Sequence, residues 1–222
     1  MSHAAPPPPS PFPPTHVAGA TPRSLKGTTV VVIVTVVILQ LAIALVGLVL
    51  TYVLDGSAAS MTLTTVATIL LNALLYAVVA AGAAYIARTP TARLLGIVLP
   101  MLSWLLSSGL WYGLPQLLDF YNAAIAGLLG PLFLVMVLAG WGCAAWTGRR
   151  WLIGLPITYL LLIGVQVSLS LTLTPDVSID NIAVMLIVSA FTTLATTLVL
   201  VLGGVVCWLL AQTEQTEQAA GQ

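Results

Sequence analysis

Charge is what this sequence has least of: six basic and six acidic residues, 5% of its 222, where an ordinary soluble domain carries about a quarter. Apolar residues make up 59%. A soluble fold of this length would still expose roughly a quarter to a third of its surface, and twelve charges do not cover that area. Lipid is the solvent that fits. The charges sum to zero, so no electrostatic ground exists for nucleic acid as a partner. Cysteine is scarce too. Cys143 and Cys207 are too few for a disulfide framework and lack the paired spacing of a zinc site, so both are expected to be free thiols behaving as small apolar side chains. The two histidines, His3 and His16, lie in the N-terminal tail.

From Thr28 onward the apolar runs reach the roughly 20 residues needed to cross a hydrocarbon core. They predict an all-α integral membrane protein with six transmembrane helices, at 28–54, 62–87, 94–114, 123–146, 151–173 and 182–210. Short polar links would fold these into three consecutive hairpins. The first run is longer than the 7–15 apolar residues of a signal peptide and is expected to stay uncleaved. Within the six spans there is no Asp, Glu, Lys, Arg or His. Ionisable residues in a bilayer usually mark ion paths, proton relays or voltage sensors, and nucleophilic catalysis needs a base or a depressed pKa. Proton coupling, haem ligation and intramembrane proteolysis are therefore disfavoured. The chain is expected to be no enzyme and to hold no metal or other cofactor.

Charge placement sets the predicted orientation. Arg23 and Lys26 precede the first span, Arg88 and Arg93 flank the second link, and Arg149 and Arg150 form the fourth. All six basic residues thus fall on one side, which the preference of Lys and Arg for short cytoplasmic loops makes the cytoplasm. Both termini would lie there. The opposite links hold Asp55, Asp119, Asp176 and Asp180, read as solvated residues rather than a catalytic or cation-binding set. Residues 1–27, with seven of the 14 prolines in the stretch 5–14, predict an extended, disordered cytoplasmic tail. Residues 212–222 form a second, polar one. Five Arg to one Lys, with abundant Ala, points to a bacterium with a GC-rich genome and hence to the plasma membrane.

The spans contain neutral polar groups instead of charges: Gln40 in the first, Asn72 in the second and Gln166 in the fifth. They sit at similar depth and are the candidate ligand-binding residues, although each could equally hydrogen-bond a neighbouring helix. Ser103, Ser107 and Ser108 share one helix face, as do Thr192, Thr193, Thr196 and Thr197. Hydroxyls of this kind either line a pore or bond their own i−4 carbonyl. Small residues at 77, 80–84, 109 and 113 are expected at close helix contacts, and Pro100, Pro131 and Pro156 at bends. The second and third hairpins also share features, Arg93 with Pro100 resembling Arg150 with Pro156, and Cys143 with Trp146 resembling Cys207 with Trp208. Bilayer-imposed loop chemistry accounts for this as well as a true repeat does. Two functions fit a neutral interior. One is an accessory or assembly subunit, with membrane-protein partners beside the lipid bilayer; the alternative is a small transporter or substrate-capture component for a neutral or lipid-like solute.

Overall fold

The computed structural model describes residues 25–53, 58–113, 123–173 and 182–220. Its elements are α1 (Leu25–Val53), α2 (Ala58–Ile86), α3 (Pro90–Ser108) with a π-helical continuation (Gly109–Gly113), α4 (Ala123–Ala145), a 3₁₀ turn (Arg150–Ile153), α5 (Gly154–Leu173) and α6 (Ile182–Ala220). Six of these helices are long and apolar enough to cross a membrane, and the described residues include no strand. The proline-rich stretch and the links bearing Asp55, Asp119, Asp176 and Asp180 lie outside the described residues.

Two boundaries differ from the sequence reading for local reasons. Helix α3 starts four residues before the apolar run, because Thr89 is extended (φ −119°, ψ 154°) and its side chain accepts a hydrogen bond from the Ala92 amide at 3.1 Å. Pro90 follows at the first helical position, where its missing N–H is no loss. Helix α6 does not stop where its polarity begins but continues to Ala220. Residues 212–220 are rich in Gln, Glu and Ala, which are strong helix formers. Their polarity takes them out of the hydrocarbon, not out of the helix.

That exposed extension grips the link between α4 and α5. The Arg149 and Arg150 amides both donate to Glu214 Oε2, at 2.8 and 2.9 Å. The Arg150 guanidinium pairs with Glu217 at 2.6 Å, and Gln215 donates to Thr147. Gly148 makes the turn possible. Its φ of +85° is left-handed, and a Cβ there would run into the Glu214 carboxylate, so only glycine suits the position. The amides of Arg150 and Arg149 hold the Glu214 carboxyl below its ordinary pKa of 4.5, and the Arg150 side chain does the same for Glu217. A carboxylate whose pKa is lower folded than unfolded favours the clamped state above its unfolded pKa and loses that contribution as pH falls through the folded value. Amide-exchange protection at Arg149 and Arg150 should thus be present at neutral pH and vanish in acid below 4.5. Glu214→Gln should cut it by about tenfold at pH 7, the scale of one charge-assisted hydrogen bond made neutral.

Consecutive helices pack on one another around the bundle, and α6 returns to α1, closing the circuit. Packing is concentrated at the end where α2, α4 and α6 finish and α3 and α5 begin. Ala83, Ala87 and Ala144 form one buried cluster with Ala92 and Trp141 against it. Trp151, Cys207 and Ala211 form another, flanked by Cys143, Trp146 and Leu155. The Trp146 and Trp151 rings meet edge to face, centroids 5.6 Å apart, the geometry their quadrupoles favour. Both cysteines are free. Small residues permit this density. A Cβ on Gly82 would approach Val32 to 2.6 Å, on Gly96 Ala83 to 3.0 Å, and on Gly140 Pro100 to 2.8 Å.

The tightest crossing has a sequence spacing that hydropathy does not register. Gly154 and Thr158 of α5 face Gly203 and Cys207 of α6, each pair four residues apart. Thr158 and Cys207 are fully buried, and the Thr158 hydroxyl donates to the Gly154 carbonyl at 2.8 Å. Gly109 and Gly113, expected at a contact, are not at one: a Cβ on either would have nothing within 4 Å. Both lie in the π-helical segment.

Candidate binding vestibule

Glycines report how the packing changes along the bundle. Gly82, Gly96, Gly140, Gly142, Gly154 and Gly203, nearer the crowded end, have little or no room for a Cβ, whereas Gly47, Gly109, Gly113, Gly130 and Gly164 have open space. In that looser half lies a void of 460 Å³, reached by side chains from α2 to α6. Measured along the helices at 1.5 Å per residue, its lining starts roughly 12 Å from the crowded end and extends to about 30 Å. Leu134, Leu162, Leu169, Val188 and Pro131 supply an apolar wall. Tyr76, Ser107, Trp111, Gln166, Thr192 and Thr196 add neutral polar groups. A second void of 280 Å³ adjoins it between α2 and α3, where Tyr76, Ser107 and Trp111 line both. Asn72, Trp104, Ser108 and Tyr112 complete the smaller one.

A buried hydrogen bond also joins α3 to α4. Ser103 is fully buried and donates to the Phe133 carbonyl across α3 and α4 at 2.7 Å. Pro100, also fully buried, lies one turn below against Gly140. No buried side-chain polar atom among the described residues lacks a partner, which is what a water-poor interior demands.

The three candidate amides do not meet. Gln40 accepts a hydrogen bond from Thr197 at 2.8 Å, tying α1 to α6. Asn72 donates to the Thr68 carbonyl of its own helix at 2.9 Å and lines the smaller void. Gln166 lines the larger, its Nε2 3.9 Å from where a Cβ on Gly127 would stand. The hydroxyl ladder divides as well. Thr192 donates to the carbonyl four residues back, and Thr197 shares its single hydroxyl hydrogen between the Thr193 carbonyl and Gln40 Oε1, each at 2.8 Å, yet Thr192 and Thr196 also face the larger void.

Sequence reasoning missed the aromatic part of the site. Tyr76 and Trp104 lie within spans rather than at headgroup level, and Trp104 donates to the Ile69 carbonyl at 3.4 Å. An aromatic with a polar handle deep in a span was the available signal, since such a handle needs a partner there. Trp111 and Tyr112 belong to the π-helical segment, a distortion that often marks functional sites and has no sequence signature. The described residues include no cluster of three or more His, Cys, Asp or Glu able to hold a metal. What the vestibule offers is hydrogen bonds and apolar surface to an uncharged molecule. No family model, curated protein or solved structure matches this chain.

Proposed function

We propose that the protein is a non-catalytic capture or transport component of a bacterial plasma membrane, binding a neutral solute in its vestibule. One observation carries this reading: a 460 Å³ void, within the 300–1,000 Å³ usual for ligand sites, in a bundle packed tightly at its other end. The basic links adjoin that tight end. The positive-inside preference then orients it to the cytoplasm, with both termini, three hairpins and a vestibule facing outward.

The assembly-subunit reading has a different support. Helix α1 is the least covered span, with 6% of its apolar window buried, and Val30, Val34, Ile38, Leu41 and Leu45 are exposed along it. Lipid tails or a partner helix would cover such a face. Purification of the full chain in mild detergent, with native mass spectrometry of the intact particle, separates the two. Capture predicts a small uncharged molecule retained on a chain free of other proteins. A stoichiometric membrane-protein partner and an empty vestibule would replace it with the subunit reading.

A further inference from the structure

We propose that the two voids form one bipartite site for a neutral amphiphile, its compact hydroxyl- or amide-bearing head in the smaller chamber and its apolar body in the larger. This rests on the capture reading above and names its ligand class. The chambers differ in chemistry. Asn72, Trp104, Ser108 and Tyr112, which belong to the smaller chamber alone, each carry a hydrogen-bonding group. The larger chamber is mixed but mainly apolar: of the residues that belong to it alone, Pro131, Leu134, Leu162, Leu169 and Val188 carry no such side-chain group, while Gln166, Thr192 and Thr196 do. The three residues common to both, Tyr76, Ser107 and Trp111, are amphipathic, so one continuous ligand can change polarity as it passes them.

The head is expected to be uncharged, because no described residue lining either chamber is ionised and a desolvated charge without a partner is strongly penalised. It must also hydrogen-bond. One Asn72 N–H is spent on the Thr68 carbonyl, which leaves its Oδ1 to accept from a ligand hydroxyl. A site built to pair with a hydroxyl discriminates against the analogue lacking one.

The test uses the full chain in lipid nanodiscs and three probes with the same brominated ten-carbon tail: a 1-O-alkylglycerol, a carboxylate and a simple alkane. Bromine quenches nearby indoles, and Trp104 and Trp111 line the voids. The alkylglycerol should quench saturably and bind at least about tenfold more tightly than either other probe. Trp104→Phe with Trp111→Phe should remove the signal. Asn72→Leu should bring the alkylglycerol down to the affinity of the alkane and leave the alkane unchanged. Ser108→Phe, which occupies the smaller chamber without touching the Asn72 bond, should do the same if the Asn72 variant does not fold. Equal affinity for alkylglycerol and alkane, tighter binding of the carboxylate, or an equal loss for both neutral probes in the variants would overturn the bipartite site and leave capture standing. Saturable quenching by none of the three would overturn both.

Discussion

Gly203→Leu is expected to lower the apparent melting temperature in detergent by roughly 10 °C, the shift that corresponds to about 3 kcal/mol in a chain of this size. A Cβ at 203 has nowhere to go. It would collide with the Thr158 hydroxyl and stand 2.5 Å from its Cγ2 and 2.9 Å from its Cβ. Thr158 cannot withdraw, being fully buried and hydrogen-bonded to the Gly154 carbonyl. Gly154 is in turn pressed on Cys207, with a Cβ there 3.2 Å from the Cys207 Cα. Helix must therefore move from helix. Because membrane helices gain little hydrophobic drive from one another, loss of this contact is not made good elsewhere. Shifting the same leucine one position, as Gly204→Leu, should cost less, since its Cβ would meet only Leu138 at an ordinary 3.6 Å. Combining Thr158→Gly with Gly203→Leu should recover part of the loss, because the side chain that the leucine meets is removed. Equal melting of the two leucine variants would mean that α5 and α6 do not cross at Gly203.

Thr196→Phe should abolish ligand retention, on the order of a hundredfold in affinity, while leaving the melting temperature unchanged or raised. Thr196 is half-buried and lines the 460 Å³ void. A phenyl ring placed there takes space that a ligand needs, and filling an apolar void commonly stabilises a fold. Leu194→Phe, two residues away on the exposed face, serves as the control and should leave binding intact. Fluorescence titration with the brominated alkylglycerol reads both. Unchanged binding by Thr196→Phe would place the ligand outside the vestibule.

The six helices were legible because bilayer thickness and helix rise set a minimum length that apolar runs either meet or miss. The same criterion hid the end of α6. Hydropathy marks where hydrocarbon stops, and Glu214 and Glu217, three residues apart, were the sign that a helix continued with one face toward the basic link. The site was legible only in part. Asn72 and Gln166 stand out as polar groups in an apolar setting, and each lines a void. Gln40 stands out for the same reason, yet its partner Thr197 is 157 residues away, a pairing that residue chemistry does not announce. Nor does spacing alone tell an open glycine from a crowded one: Gly109 with Gly113 and Gly203 with Cys207 share the same interval, and only the second pair meets a neighbour.

The neutral lining also has an electrical consequence. Moving one elementary charge through the membrane field is worth about 2.3 kcal/mol per 100 mV, and the spans carry no formal charge on which that field could act. On the capture reading proposed above, loading and release of an uncharged ligand at the vestibule would be electrically silent. Membrane potential would neither drive nor oppose them, so net movement of the ligand would follow its own concentration gradient unless another protein supplied energy.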